Sequence, residues 1–312
     1  MTPSPLSPGR PHFAEARGLD GSRAWRRDDP LGDRLPMLSV VVPAKNEAES
    51  LPKLVEEIAQ ALRPLCGEGE DRRFRLGGFE ILIVNDGSTD RTPEVLEELS
   101  GLYPELREIR LRTNVGQSGA TAAGVRAARG GWIATLDADL QNDPADLALL
   151  WRLLPGHDVA LGWREKRQDA WFRRVVSRCA NRVRNAVLGQ SIRDTGCSVR
   201  IFPRELALRL PLFQGSHRFL GPLLIREGAR VAQTPVNHRA RPHGRSHYNF
   251  RNRSFRVVVD LVGVSWLMRR PLRYEVVDPA GDDAGVVGGI GIGSERDRGA
   301  LAEPGRLDRV GA

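Results

Sequence analysis

The sequence predicts an α/β protein with a mostly parallel sheet and helices on both faces. Two observations support this prediction. Short apolar runs near residues 38–42, 80–85, 107–112, 132–137 and 158–162 are typical of buried strands, and they alternate with helical patterns. Polar or acidic residues follow several of these runs. Because open parallel sheets bind ligands at the carboxyl ends of their strands, these residues are candidates for a site.

The first unit begins with the β-branched run Val40–Val42, which stops at Pro43. An amphipathic helix is predicted from about Ala48 to Leu62, since its apolar residues recur at helical spacing. Those residues are Leu51, Leu54, Val55, Ile58 and Leu62. The unit therefore predicts a strand, a short turn and a helix that packs on the sheet.

The second and third units have the same plan. Phe79–Asp90 predicts a buried strand that ends in Asp86, followed by a glycine turn and a helix capped by one of residues 88–90. Asn114–Gly124 predicts a glycine-rich entry into a helix of small residues, which leads to the next strand. Each unit thus returns the chain to the same edge of the sheet.

Two acids one residue apart end the fourth strand. Trp132–Leu136 predicts a short buried strand, and Asp137 and Asp139 follow it. Residues i and i+2 of an extended chain point to the same side, so the two carboxylates can face one hard cation. A solvated acidic turn before a helix near Pro144 is the alternative. The convergence of three such strand ends favours a site for Mg²⁺ or Mn²⁺ and a substrate phosphate.

Six stretches between about Leu38 and Tyr248 carry a family resemblance. They are V-V-V-P-A-K-N-E, I-V-N-D-G-S-T-D, N-V-G-Q-S-G-A, T-L-D-A-D-L-Q-N, D-T-G-C-S-V-R and H-G-R-S-H-Y. In this order and spacing they resemble family 2 glycosyltransferases of the GT-A fold, and more narrowly the polyprenyl-phosphate and dolichol-phosphate sugar transferases. The resemblance implies an inverting, metal-dependent transfer of a sugar from a GDP- or UDP-linked donor to a dolichyl or undecaprenyl phosphate.

The resemblance also implies roles for individual residues. The positions expected to bind the nucleotide-sugar are Pro43, Glu47, Asp86 and Asp137. The metal ligands are expected to be Asp137, Asp139 and Gln141, with Mg²⁺ or Mn²⁺ as the cofactor. The acceptor phosphate is expected to contact Arg164, Arg173, Ser177 and Arg241.

Two positions depart from the family pattern. Lys45 stands where many members have an aromatic residue, which affects the expected contact with the donor base. The stretch Asp194–Arg200 resembles the bacterial undecaprenyl-phosphate variant more than the dolichol type. The identity of the transferred sugar is therefore left open.

Asp139 and Asp194 are the candidate catalytic residues of a direct displacement with inversion. A phosphate nucleophile is already ionised at neutral pH, so it needs positioning more than deprotonation. Stabilising the departing nucleoside diphosphate is the harder task, and it is assigned to the cation site. Asp194 is the one plausible base, or it binds a sugar hydroxyl; the positioning role is the one expected.

Charge is distributed unevenly along the chain. The segment 161–275 contains 24 Arg and Lys against 7 Asp and Glu, a net charge of +17 in a chain whose total is +8. A basic half is also typical of nucleic-acid-binding proteins. The sequence lacks an RNP-like strand, a zinc finger or a basic heptad region, so no nucleic-acid partner is expected. A phospholipid acceptor and an anionic membrane surface account for the arginines better.

The C-terminal part of the basic segment predicts a helix at the membrane surface. Its longest apolar stretch, Val257–Met268, has twelve residues and contains Asp260, whereas a span needs roughly 20. An amphipathic helix in the interface is expected over 250–275, with packing on the protein core as the alternative.

Three cysteines without paired spacing (Cys66, Cys179 and Cys197) indicate reduced thiols. The expected location is cytoplasmic, at the inner face of the cytoplasmic membrane.

These expectations divide the chain into four parts. Residues 1–35 and 276–312 are predicted to be disordered tails, because they are rich in Pro, Gly and charge. Residues 36–249 form the predicted GT-A domain, and 250–275 the interfacial helix. Two other functions are kept as alternatives: transfer to a hydroxyl of a polysaccharide or glycolipid, and nucleic-acid binding.

Overall fold

The computed structural model describes residues 35–164, 184–189, 192–240 and 250–270. Within them the chain forms one seven-stranded sheet. The strands are β1 (Met37–Ala44), β2 (Gly78–Asn85), β3 (Leu106–Arg110), β4 (Trp132–Thr135), β5 (Val159–Arg164), β6 (Arg200–Pro203) and β7 (Val231–Val236). The helices are α1 (Leu51–Leu62), α2 (Thr92–Leu102), α3 (Gly116–Ala127), α4 (Ala145–Arg152), α5 (Arg204–Arg209), α6 (Leu220–Arg226) and α7 (Phe250–Met268). Residues 184–188 are also helical.

The sheet order is β3-β2-β1-β4-β6-β5-β7. The pairs β3–β2, β2–β1, β1–β4 and β5–β7 are parallel, while β6 is antiparallel to both β4 and β5. The predicted class, a mostly parallel α/β sheet, is confirmed. The short strand β6 was not predicted. It runs against its neighbours because the chain re-enters the sheet from the edge at which β4 and β5 end.

Helices cover both faces, because side chains along each strand alternate between two apolar cores. Val40 and Val42 belong to the core beneath α1 and α4, and Val41 faces the opposite core. The second core includes residues of α3, α5, α6 and α7. β1 and β2 are thus buried on both sides, which explains their nearly continuous runs of Val, Ile and Leu.

Element ends differ from the predicted ones by a few residues. Helix α1 begins at Leu51 rather than near Ala48, because the Ser50 N–H bonds to the Glu47 carbonyl in a turn and Pro52 lies in the first helical turn. Strand β4 ends at Thr135, so Asp137 lies just beyond the ladder. The tail predictions fall almost entirely outside the described residues. The boundary at 249/250 stays a prediction, although α7 does begin at Phe250.

Candidate active site

A cleft of about 790 Å³ opens at the edge of the sheet where β1, β2, β4 and β5 end. The sequence-predicted residues that line it are Pro43, Glu47, Asp86, Asp137, Asp139, Gln141 and Arg164. Asp194 is bonded directly to Arg164 at the same place. The structure therefore brings together all of the predicted site residues that it describes. Arg173, Ser177 and Arg241 lie outside the described residues.

The two acids after β4 occupy the floor of the cleft. The Gln117 side-chain amide donates to Asp137 Oδ1 at 2.8 Å, and the Gln141 backbone N–H donates to Asp139 Oδ1 at 3.1 Å. Enclosure by the surrounding protein raises the pKa of Asp137, and the negative charge of Asp139 raises it further. The two carboxylates therefore lie close enough to repel each other.

This arrangement fits a divalent cation. A cation between Asp137 and Asp139 would relieve their repulsion, and hard oxygen ligands are those that Mg²⁺ prefers. Among the described residues no group of three or more His, Cys, Asp or Glu side chains is placed to hold a metal ion. An ion here would thus need further oxygens, which is how Mg²⁺ commonly binds together with substrate phosphates.

Backbone strain accompanies this motif. Leu140 has φ of 59°, a left-handed conformation that costs a branched residue of order 1 kcal/mol or more. It lies between Asp139 and Gln141, so the turn that directs both side chains depends on it. Such strain persists only where surrounding contacts enforce it, and here the Gln141 carbonyl accepts the Arg239 N–H at 2.7 Å.

The turns after β1 and β2 are bonded to each other. The Asn46 N–H donates to Ser88 Oγ at 3.0 Å, and Asn46 Oδ1 accepts the Thr89 N–H at 2.8 Å. The Glu47 N–H donates to Thr92 Oγ1 at 3.1 Å. These contacts hold Glu47 at the rim of the cleft. Lys45 also lines the cleft and is exposed.

Asp86 has a visible structural role. Its carboxylate accepts the N–H groups of Val115 (2.7 Å) and Gly116 (2.8 Å) and the side-chain amide of Asn114 (3.0 Å). It therefore holds the turn that begins α3 against the end of β2. Its assignment to the nucleotide remains a prediction, which the position in the cleft supports.

Arg164 and Asp194 form a bidentate ion pair. Arg164 Nε donates to Asp194 Oδ2 at 2.7 Å and Nη2 donates to Oδ1 at 3.2 Å, and the side chains are only 17% and 8% exposed. The Gly196 N–H donates to Oδ1 at 3.0 Å. Because both oxygens of Asp194 are engaged, this carboxylate is poorly placed as a general base. The pair favours the positioning role.

Among the cleft residues that the sequence did not assign are three arginines and a histidine. They are Arg184, Arg200, His217 and Arg218. Arg200 had a signal, since it ends the D-T-G-C-S-V-R stretch that carried the resemblance. The other three have no local signal, because the chain brings them to the cleft from segments far from any strand-end motif.

His217 is held in one orientation by Ser118. Ser118 Oγ lies 2.7 Å from His217 Nδ1 and also accepts the N–H groups of Gly215 (3.1 Å) and His217 (3.2 Å). An oxygen that accepts twice is best placed to donate its own proton to Nδ1, which leaves the ring proton on Nε2. These contacts join α3 to the segment before α6 and fix the wall of the cleft.

Cys197 is buried, and burial raises the pKa of its thiol to about 11. The thiol is therefore protonated at neutral pH. A protonated, buried thiol suits a packing role, because the thiolate form is the nucleophile.

The segment 237–239 is attached to the loop that follows the acidic motif. The Asn237 N–H and side-chain amide donate to Asp146 Oδ2 (2.8 Å) and Oδ1 (3.1 Å). Arg239 binds Glu57 at 2.7 Å and Asp143 at 2.9 Å, in addition to the Gln141 carbonyl. These contacts attach the loop to α1 and to the segment that follows β7.

Asp146 should make the stability of the protein depend on pH. Burial raises its pKa to about 6, with Asp143 adding to the effect, whereas an unfolded Asp titrates near ~3.9. A raised acid pKa stabilises the folded state at low pH and loses this contribution as pH rises through about 6. Relative to Asp146→Asn, wild type should lose on the order of 2 kcal/mol of unfolding free energy between pH 4 and pH 8.

Urea unfolding at pH 4, 6 and 8 measures this difference. Glu97→Gln, an exposed change on α2, is the matched control and should run parallel to wild type. A difference between wild type and Asp146→Asn that does not vary with pH would contradict the assignment.

The fold and the acidic cleft are those expected of a glycosyltransferase of the GT-A class. The sequence profile described as "Glycosyl transferase family 2" matches residues 39–210. The chain belongs to this family. The predicted family and enzyme class are thus confirmed.

A curated relative and two solved structures extend the comparison. The chain is 36% identical over 242 residues to dodecaprenyl-phosphate galacturonate synthase of Rhizobium johnstonii, covering 76% of this chain and 68% of the relative. The mannosyltransferase PcManGT of Pyrobaculum calidifontis, in complex with GDP-Man and Mn²⁺, is 18% identical with a TM-score of 0.53. The alignment covers 83% of this chain and 69% of PcManGT. Glucosyl-3-phosphoglycerate synthase of Mycobacterium tuberculosis, in complex with Mn²⁺, UDP and phosphoglyceric acid, is 20% identical with a TM-score of 0.53. The alignment covers 75% of this chain and 78% of the synthase. The structural likeness confirms the GT-A fold.

Proposed function

We propose that this glycosyltransferase moves a sugar from a nucleotide-sugar to a polyprenyl phosphate with inversion, in a reaction that needs a divalent cation. The observation that carries the proposal is the cleft itself, whose lining combines the acids Asp137 and Asp139 with Arg164 at the end of β5. Acids that hold a cation suit a donor diphosphate, and an arginine beside them suits a second, phosphate-bearing substrate. The relative at 36% identity, named a dodecaprenyl-phosphate galacturonate synthase, supports a lipid phosphate as the acceptor.

The residues of the acidic motif serve the departing group. Asp137, Asp139 and Gln141 would hold Mg²⁺ or Mn²⁺, which as a Lewis acid stabilises negative charge on a leaving diphosphate. Gln117 orients Asp137 through its 2.8 Å hydrogen bond, and the Arg239 contact orients Gln141. Pro43, Glu47 and Asp86 line the part of the cleft beside β1 and β2, which suits the nucleoside.

The acceptor phosphate is assigned to the side of the cleft beside β5. Arg164 would contact it there, with Arg173, Ser177 and Arg241 assigned to the same role by their sequence match. Asp194 keeps the Arg164 guanidinium in a fixed orientation through two hydrogen bonds. A phosphate monoester needs no general base at neutral pH, so the engagement of Asp194 favours this acceptor over a sugar hydroxyl.

An acceptor assay tests the proposal. The protein is incubated with Mn²⁺, radiolabelled UDP- and GDP-sugars and either undecaprenyl phosphate, undecaprenol or an oligosaccharide. Label should pass into the organic phase only with the lipid phosphate. Transfer to the oligosaccharide or to undecaprenol instead would favour the hydroxyl-acceptor alternative. Tight, salt-dependent oligonucleotide binding without turnover of any nucleotide-sugar would favour the nucleic-acid alternative.

Helix α7 has an apolar face that the rest of the described chain leaves uncovered. Val258, Val259, Val262 and Trp266 are 53–64% exposed, while Val264 on the other side is buried in the second core. Arg270 lies over the Trp266 ring at 5.2 Å. Among the described helices none is long and apolar enough to cross a bilayer. The two alternatives for this helix, packing on the protein core and lying in the membrane interface, thus both have support. One face packs on the core, and the other suits the membrane interface.

The proposed occupant of this face is an anionic membrane surface at the cytoplasmic side, where the lipid acceptor would be met. The double change Val262→Asp and Trp266→Asp should abolish sedimentation with vesicles of phosphatidylglycerol, because it places charge in the apolar face. Nucleotide affinity, measured by calorimetry, should stay unchanged. Leu102→Asp, at an even more exposed apolar position on α2, is the control and should sediment like wild type. Failure of wild type to sediment at low salt would refute the docking proposal.

A further inference from the structure

The order of the strands in the sheet sets the order of the proposed binding sites along the cleft. The proposed nucleoside residues lie at β2 and β1, the acidic pair follows β4, and Arg164 ends β5. Strand β6 lies between β4 and β5. In a transfer from diphosphate to acceptor, the sugar must sit between the two phosphate groups. The residues at the start of β6 are therefore placed beside the sugar.

Arg200 is the residue at that place. It opens β6 and pairs with Thr135 of β4, two residues before Asp137, and with Leu161 of β5, three residues before Arg164. Its side chain lines the cleft, yet Arg200 is only 7% exposed. Nη1 donates to the His217 carbonyl at 2.9 Å and Nη2 to the Thr195 carbonyl at 3.0 Å. Within the described chain it makes no ion pair.

A buried guanidinium held by neutral carbonyls is costly, since desolvation disfavours its charge. Burial accordingly lowers the pKa of Arg200, although the carboxylates of Asp137 and Asp194 oppose this effect. The guanidinium has five N–H donors, and two bonds to carbonyls leave it able to donate to an anion as well. The two carbonyl contacts also fix the plane of the group, as recognition of a planar anion requires.

Two more arginines approach the same region. Arg184 and Arg218 line the cleft, and the Arg184 guanidinium carbon lies 5.8 Å from the centre of the Phe219 ring. Burial lowers the pKa of Arg184; the negative charge of Asp194 opposes this effect and the positive charge of Arg218 adds to it, so the two cations lie near each other. Like charges held together at half-buried positions favour an anion between them.

We infer that Arg200, Arg184 and Arg218 form a subsite for a carboxylate carried by the transferred sugar, so that the donor is a nucleotide hexuronate. The donor diphosphate is served by the acidic motif, and the acceptor phosphate by Arg164 and the arginines assigned with it. A hexuronate differs from its parent hexose in having a planar carboxylate at C6, the group that arginine binds in bidentate fashion. This subsite rests on the proposed use of a nucleotide-sugar.

Matched donors test the subsite. UDP-galacturonate and UDP-galactose, UDP-glucuronate and UDP-glucose, and GDP-mannuronate and GDP-mannose differ only at C6. For one uronate, kcat/KM should exceed that of its hexose by about 100-fold, the size expected of charge-assisted hydrogen bonds to a carboxylate. Calorimetry with donor alone should show the same preference in affinity. Because calorimetry needs no acceptor, the donor affinities test this subsite even if the proposed acceptor is wrong.

Variants separate the sugar from the phosphates. Arg218→Gln and, as a change that keeps charge but removes the planar fork, Arg200→Lys should each reduce the uronate preference about 10-fold or more. Affinity for UDP or GDP alone should stay the same. Arg126→Gln removes an exposed arginine on α3 outside the cleft, and its preference should match wild type.

Three results would overturn the subsite. One is equal or better use of the neutral hexoses by wild type. Another is that Arg218→Gln lowers kcat/KM equally for the uronate and for its parent hexose, which would assign the arginine to a phosphate. The third is an unchanged preference in both variants. By contrast, normal uronate-selective binding without transfer to polyprenyl phosphate would refute only the proposed acceptor.

Discussion

Replacing Asp139 by Asn is expected to lower turnover by about 100-fold or more, because removing one group that stabilises developing charge typically costs this much. Asp139 is buried at the floor of the cleft beside Asp137. Asn keeps the size of the side chain and one oxygen but removes the charge that would attract a divalent cation. Asp137→Asn should act in the same way.

Three measurements check this expectation. Steady-state turnover at saturating Mn²⁺ gives the size of the loss, EDTA should abolish wild-type activity, and Mn²⁺ titration with nucleoside diphosphate should show weaker ion binding in both variants. Asp71→Asn changes an exposed carboxylate outside the cleft and should match wild type. Full activity of wild type in EDTA would remove the cation from the mechanism.

Removing Asp194 is expected to destabilise the protein by about 3–5 kcal/mol, because it leaves the Arg164 guanidinium enclosed without its carboxylate. The pair is well shielded, with 8% exposure for Asp194 and 17% for Arg164. Asp194→Ala should therefore lower both stability and turnover. The double variant Asp194→Leu and Arg164→Leu should be more stable than Asp194→Ala, since no uncompensated charge remains.

Urea unfolding of the single and double variants measures this coupling. Arg110→Ala breaks an ion pair whose arginine is 59% exposed, and it should unfold like wild type. Calorimetry with nucleoside diphosphate separates folding from binding, since Arg164→Ala should retain nucleotide affinity while losing use of the lipid phosphate. An Asp194→Ala protein as stable as wild type would show that solvent already reaches the pair.

Much of the fold could be predicted because its signals are local. The strands β1 and β2 are apolar runs, buried on both faces, and the helix that follows β1 shows its buried face in its spacing. The pair Asp137 and Asp139 was predictable for the same reason, since two residues of one turn remain together in any fold. Strand β6 was missed, since a four-residue run has little signal until its neighbours are known.

The relations between distant residues could not be predicted. Asp194 and Arg164 were both expected in the site, but in separate roles, and no pattern along the chain indicates that they bind each other across 30 residues. Likewise, Asn237 and Arg239 carry no motif, yet they fix the loop of the acidic pair. Such contacts depend on which strands become neighbours, and single residues do not specify that order.

The sequence by itself determined the class of the fold, the acidic motif and the family, because these follow from contiguous patterns of burial and charge. The tertiary structure alone decided which basic side chains meet in the cleft. Placing β6 between β4 and β5 brings Arg200 between the acidic motif and Arg164, and the folding of segments 184–188 and 216–218 adds Arg184 and Arg218. Arg184 and Arg218 carry no local signal in the sequence, and only their enclosure in one cleft with Arg200 suggests a role for them.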